Sequence, residues 1–180
     1  MKRLIQIFKR TSIEDDIINL EDEMFVRYSY KPNTRDELIG IIYERLKENV
    51  EEPYLLDIDV SNITSFKYLF SSFYWRCKLN ISDVNPDCIK KLDLSTWNVS
   101  NVTDMCDIFW GCDELIEIIG LQNWNVSKVK SFSAAFYHCK NLRYVDLSSF
   151  KRSMKQHNSP CAFDYCDKSI IPDWVWWKKY

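Results

Sequence analysis

The stretch Leu94-Ser-Thr-Trp97-Asn-Val99-Ser-Asn-Val102-Thr-Asp-Met105-Cys-Asp-Ile-Phe109-Trp-Gly-Cys112-Asp-Glu-Leu115 returns without a gap as Leu121-Gln-Asn-Trp124-Asn-Val126-Ser-Lys-Val129-Lys-Ser-Phe132-Ser-Ala-Ala-Phe136-Tyr-His-Cys139-Lys-Asn-Leu142. Every matched apolar position is offset by 27 residues. A degraded third copy keeps Leu147, Phe150, Phe163 and Cys166, but its middle, from Lys151 to Asn158, is polar and has lost the valines. An earlier copy, Leu55, Ile58, Val60, Ile63, Phe66 and Phe70, precedes Leu94, Trp97, Val99, Val102, Met105 and Phe109 by 39 residues. The extra residues fall between Tyr74 and Pro86. A fixed period of this size marks a unit that cannot bury its apolar side alone and stacks on its neighbours.

Within each unit, segments such as Lys91-Leu-Asp-Leu-Ser95 and Arg143-Tyr-Val-Asp-Leu-Ser148 alternate apolar and polar residues, the pattern of a half-buried strand. Val102, Met105 and Phe109 follow at spacings of three and four, which predicts one face of a short helix. Ser100, Asn101 and Ser127 are suitable N-caps for such helices. The class expected is α/β: a short leucine-rich-repeat-like solenoid with one strand and one short helix per repeat, capped by an N-terminal α+β segment.

Trp97-Asn-Val-Ser-Asn-Val-Thr-Asp-Met105 and Phe109-Trp-Gly-Cys112 resemble the BspA-like leucine-rich repeats of bacterial surface proteins and mycoplasma lipoproteins. The resemblance covers about residues 53–166. It implies a strand-plus-helix solenoid and, as in many members of that family, binding to other macromolecules. Short members without a signal also resemble products of bacteriophages and mobile elements.

Three segments are expected. Residues 1–52 form an N-terminal cap, with strands at Lys2 to Phe8 and Met24 to Tyr30 and a helix over 34–49. That helix opens with the capping box Thr34-Arg-Asp-Glu37 and aligns Leu38, Ile41, Ile42 and Leu46 on one face. Residues 53–166 hold four units with an insertion near 74–86. Residues 167–180, dense in aromatics from Trp174 to Tyr180, form a cap over the last unit or an exposed binding tail.

Chain-wide composition excludes several classes. The 180 residues carry 24 Lys+Arg and 26 Asp+Glu, so the net charge of −2 lacks the basic excess of a generic nucleic-acid binder. Only 3 glycines occur, and no Gly-rich phosphate loop. The apolar stretch Leu4 to Phe8 is broken by Gln6 and is too short for a secretory core, and no run approaches a membrane span. A cytoplasmic location is therefore expected, with association with a virion as a second setting. The 7 cysteines leave one over from any full set of disulfides. Cys112, Cys139 and Cys166 sit at the repeat's core position and read as small buried side chains.

No catalytic motif is present. His138 and Cys139 are adjacent, so on a helix they point about 100° apart and do not pair. Cys161 and Cys166, near His157, lack the spacing of a zinc site. Asp93 and Asp146 recur on successive strands, but Gly120 between them breaks the acid ladder. The basic residues Lys151, Arg152 and Lys155 read as solvated surface. Four of the five N-x-[ST] sequons (Asn62, Asn80, Asn98, Asn101, Asn125) arise from the repeat itself. We therefore expect no enzyme, cofactor or metal.

If Leu92, Leu94, Ile119, Leu121, Val145 and Leu147 point inward, strand alternation turns Lys91, Asp93, Ser95, Ile118, Gly120, Gln122, Tyr144, Asp146 and Ser148 outward. This face, extended by Tyr74, Trp75 and Arg76, is the expected binding surface of a non-catalytic protein-interaction module. The partner is expected to be a protein, with no role for nucleic acid or membrane. The alternative is a self-associating or virion-type structural component.

Overall fold

The computed structural model describes residues 28–81, 83–156 and 159–175. Helix α1 spans Arg35–Glu48 and α2 spans Ser72–Cys77. Strands β1 (Lys91–Asp93), β2 (Glu117–Ile119) and β3 (Tyr144–Val145) follow, then helix α3 (Lys151–Gln156). Single 3-10 turns occupy Pro86–Cys88, Leu121–Asn123, Ser148–Phe150 and Lys168–Ile170. The strands form one open parallel sheet in the order β1-β2-β3.

Helix α1 forms where its capping box predicts. Thr34 Oγ1 accepts the Glu37 N–H at 3.2 Å, and the Glu37 carboxylate accepts the Asn33 N–H at 2.8 Å. Leu38, Ile39, Ile41, Ile42 and Leu46 are buried. On the same face Arg45 bonds Asp57 at 2.8 Å, with the Tyr30 and Tyr54 rings 5.2 Å and 5.7 Å from its guanidinium carbon. Tyr30 itself makes an isolated parallel bridge to Ile58. The strand expected at Lys2 to Phe8, and most of that at Met24 to Tyr30, lie outside the described residues.

The strand-plus-helix solenoid is not what the structure shows. The sheet is small and open, and no helix falls on Val102 to Phe109 or Val129 to Phe136. Those segments are chains of tight turns. Met105, Asp107, Phe109 and Gly111 donate their N–H groups sideways to the carbonyls of Ser131, Ser133, Ala135 and Tyr137, at 2.9–3.0 Å. Trp110 and Cys112 close turns onto Asp107 and Phe109. In a helix those N–H groups go to carbonyls four residues back along the same chain. Left-handed residues recur at Asp107, Ala134 and Cys161 and at Gly111, His138 and Tyr165, a conformation that an α-helix does not admit. Turns that close over three residues bring Met105, Phe109 and Cys112 to one side at spacings of three and four. A helix does the same, so the periodicity does not separate the two.

The N-caps expected at Ser100, Asn101 and Ser127 change role accordingly. The side chains of Asn98 and Asn125 accept the N–H groups of Ser100 and Ser127, at 3.1 and 3.2 Å. Asn101 Nδ2 donates to the Ser61 carbonyl at 2.9 Å. The polar stretch after Phe150, which has lost the repeat's valines, forms α3 and buries Ser153 and Met154.

The core runs between the strand line and the turn line. Phe70, Phe109, Phe136 and Phe163 stack in sequence, with centroids 5.6, 5.3 and 5.3 Å apart. Trp97 and Trp124 form a second column with Phe150. At the C-terminal side, Ile170 and Val175 are buried and Trp174 packs against the core.

Candidate functional site

On the strand side the second strand is turned over relative to expectation. The pairing sets Leu92 against Ile118 and Val145, and Lys91 against Glu117 and Tyr144. Ile118 is buried, so Glu117 and Ile119 take the outward positions. The cause is Gly120, at φ +100°. It adds one residue between Ile118 and Leu121 that has no counterpart between Leu92 and Leu94. A slip of one residue exchanges the two faces of a strand. Gly120 also lies against the preceding unit: a Cβ there would stand 2.4 Å from the Ser95 Cα.

The remaining strand-side residues are exposed or half-exposed, and most of their polar groups engage one another. Lys91 and Glu117 pair at 3.1 Å, which holds the Lys91 ammonium above its ordinary pKa. Asp93 accepts the Ser95 N–H at 3.1 Å, and Asp146 accepts the Ser148 N–H at 2.9 Å. The backbone bond from Ser148 holds the Asp146 carboxyl below the usual range. Gln122 is exposed, and Tyr144 is the most open aromatic there, at 65% exposure.

The Tyr74, Trp75 and Arg76 group lies in α2 and divides. Trp75 is fully buried, its indole N–H bonded to the Leu69 carbonyl at 3.0 Å, and it leaves the candidate surface. A short helix must point one side chain inward, and here the largest apolar one goes in. Arg76 is exposed and Tyr74 half-buried.

The turn side carries a feature that the strand-and-helix reading missed. Immediately after the stacked phenylalanines, Trp110 and Tyr137 project outward 27 residues apart. Phe73 stacks on Trp110 at 4.7 Å. Trp110 meets Tyr137 edge-on at 5.9 Å, and Tyr137 meets Tyr165 edge-on at 5.3 Å. His138 packs on Tyr165 at 4.4 Å. Tyr165 and Phe73 are 64% and 44% exposed. The signal was present in the doublets Phe109-Trp110 and Phe136-Tyr137; alternation along a turn ladder, not a helical wheel, sends their second members outward.

Cysteines brace this row from within. The thiols of Cys112, Cys139 and Cys166 donate to the carbonyls of Phe70, Phe109 and Phe136, at 3.2, 3.2 and 2.8 Å. Cys112 and Cys139 are buried as expected of core positions, and Cys166 is partly so. Burial pushes the Cys112 and Cys139 thiols far above their ordinary pKa. A thiol held neutral and bonded to a backbone carbonyl is a poor nucleophile. His138 sits outside with Asp113 at 3.9 Å, not with Cys139. Among the described residues no group of three or more His, Cys, Asp and Glu side chains could hold a metal ion. His157 lies outside the described residues. No described helix is long and apolar enough to cross a membrane.

The family described as "Mycoplasma protein of unknown function, DUF285" matches residues 79–168, half of the chain. The match takes in all three strands, Trp110, Tyr137 and Tyr165, and excludes α1 and α2. No curated protein and no solved structure matches.

Proposed function

We propose, for a chain that belongs to the Mycoplasma family of unknown function DUF285, a non-catalytic role as a protein-interaction module. Its contact surface, in this reading, is the aromatic row Phe73, Trp110, Tyr137 and Tyr165. The resemblance of the Trp97 to Cys112 pattern to BspA-like surface repeats favours the same role.

The supporting observation is that the row lies at the surface as one run of ring contacts, with Phe73 and Tyr165 exposed at its ends and Trp110 and Tyr137 half-buried between them. Trp and Tyr dominate binding energy where they are buried on association, and side chains held by backbone ladders lose little freedom on doing so. The strand side is a weaker candidate because its charges already pair with each other. The edge-on contacts of Trp110, Tyr137 and Tyr165 also favour a protein partner. They give a ridged surface suited to side chains, and no flat run of ring faces on which bases or sugars would stack.

Photo-crosslinking tests the reading. A benzophenone amino acid at position 137 is expected to capture a discrete host protein, and one at position 122 to capture none. Adducts from 122 alone, or from neither position, contradict it.

A further inference from the structure

We propose that the last rung of the turn ladder, Cys161 to Tyr165, is a docking edge for a peptide segment of another protein, which adds its backbone carbonyls as the next rung. This rests on the interaction reading above and names how a partner's backbone is held at the Tyr165 end of the row.

Each rung donates forward to the next. Phe66, Tyr68, Phe70 and Ser72 donate their N–H groups to the carbonyls of Asp104, Cys106, Ile108 and Trp110, at 2.8–3.1 Å. Ala134, Phe136 and His138 donate in turn to Pro160, Ala162 and Asp164, at 2.9–3.0 Å. The matching donors one rung on are Cys161, Phe163 and Tyr165. Among the described residues their N–H groups have no acceptor. Their backbone is already set for one: Cys161 and Tyr165 have φ of +57° and +64°, against +49° and +62° at Ala134 and His138. On the strand side, by contrast, the chain ends its own ladder. Arg143 and Tyr144 donate to Ile116, whereas Ile170 and Ile171, 27 residues on, donate back to Asp167 and Lys168. Pro172 then brings no N–H at all.

Hydrogen-bond complementarity selects the occupant. The Cys161, Phe163 and Tyr165 edge offers donors, so the same edge of a second copy would set donor against donor. The other end of a second copy would have to offer the carbonyls of its first rung, and those are taken. The Lys67 carbonyl accepts from the Arg35 guanidinium at 3.0 Å, and the Leu69 carbonyl from the Trp75 indole at 3.0 Å. The Ser71 carbonyl accepts the Trp75 backbone N–H at 3.0 Å. A peptide segment brings carbonyls at alternate residues with nothing attached to them, and an edge of unmade backbone bonds is a template for such a segment. Tyr165 stands beside the edge, 64% exposed and packed on His138 at 4.4 Å. Its ring offers a contact for one apolar side chain of the incoming segment.

Amide exchange followed by NMR on the full chain, with peptides recovered from a random dodecapeptide display library, tests the proposal. In the chain alone, the amides of Cys161, Phe163 and Tyr165 are expected to exchange at least tenfold faster than those of Ala134, Phe136 and His138. A recovered peptide, carrying an aromatic or large aliphatic residue, is expected to slow those three amides at least tenfold. Phenyllactic acid in place of Phe163 removes that N–H and keeps the ring. It is expected to weaken peptide binding at least tenfold by fluorescence polarisation. It should also lower the melting temperature less than the same replacement of Phe136, which deletes a bond already made. Slow exchange at the three amides in the chain alone assigns the edge to this chain's own residues and overturns the proposal. Exchange that slows as the chain is concentrated assigns it to a second copy and does the same. Recovery of no peptide, or of peptides indifferent to the change at position 163, also overturns it, as does an equal or larger loss of melting temperature there. Crosslinks from position 137 that persist when these arms fail overturn the edge alone; loss of both overturns the interaction reading as well.

Discussion

The indole rings of Trp97 and Trp124 lie 6.5 Å apart with planes 2° from parallel. Each donates its ring N–H to a carbonyl of the preceding unit, Trp97 to Leu55 at 3.0 Å and Trp124 to Leu94 at 3.3 Å. The indole thus fills the core and also bonds a backbone acceptor; the Leu94 carbonyl takes the Trp97 backbone N–H as well, at 3.1 Å, whereas the Leu55 carbonyl has the Trp97 indole as its partner. Trp97→Ala is expected to destabilise by about 3–5 kcal/mol, as large-to-small core changes do. Trp97→Phe keeps a ring but strands the Leu55 carbonyl, an expected loss of about 1–3 kcal/mol. Urea unfolding followed by circular dichroism checks both; equal stability of the Phe variant and the parent contradicts the role of the N–H.

Gly120 and Gly111 separate two effects. Both have positive φ, +100° and +76°. A Cβ on Gly120 meets the Ser95 and Leu94 backbone, whereas on Gly111 the closest atom is the Ser72 hydroxyl oxygen at 2.6 Å. Gly120→Ala is expected to destabilise by more than about 2 kcal/mol, because backbone cannot step aside, and Gly111→Ala by less. Thermal melts of the two variants decide; the reverse order contradicts this account of the strand flip.

The repeat, its apolar positions, the α1 helix and the core cysteines were all legible in the sequence, because each depends on side chains at fixed spacings. The turn ladder was not. Phe109 and Met105 satisfy a helical wheel and a chain of turns equally, and only the destination of the N–H groups separates them. Ile118 and Ile119 were indistinguishable by hydrophobicity, so the phase of β2 rested on Gly120, read as a gap in an acid ladder when it is an added residue. Of the surface, Tyr144 is exposed and Lys91 half-exposed on the strand side. The aromatic row went unnoticed because Trp110 and Tyr137 fall off the apolar face that a helix presents.

Thiol reactivity follows from the cysteine geometry. Cys112 and Cys139 are expected to stay unmodified by a disulfide reagent at pH 8 in the native chain, while exposed Cys77, Cys88 and Cys161 react. Mass spectrometry of the labelled peptides reads the outcome. Rapid labelling of Cys139 contradicts the buried thiol-to-carbonyl bond.

Tyr43 reports on the anchoring of the insertion to α1. Its hydroxyl donates to Asp83 at 2.6 Å. That bond first, then burial and the Asp83 charge, raise its pKa from 10.0 to about 12. The folded chain therefore holds this proton more tightly than the unfolded one. The stabilisation is fully present below about pH 10 and is lost as pH rises toward 12. Difference absorbance titration of the parent against Tyr43→Phe is expected to show one late-ionising tyrosine, moved down by Asp83→Asn. An ordinary titration in the parent contradicts the contact.

Arg45 and Asp57 tie α1 to the first unit in a largely buried pair. Arg45→Ala leaves a buried carboxylate without its cation, and a loss of about 3 kcal/mol is expected. Chemical denaturation measures it; a change under about 0.5 kcal/mol contradicts the pairing.

The claim that the chain acts through its turn side has an internal control. Tyr165 on the turn side and Tyr144 on the strand side are 64% and 65% exposed, so free in solution they should oxidise alike. Hydroxyl-radical footprinting, with and without the host protein captured from position 137, compares them directly. Tyr165, with Trp110 and Tyr137, is expected to be protected in the complex while Tyr144 oxidises as before. Protection of Tyr144 with Tyr165 left open would contradict it.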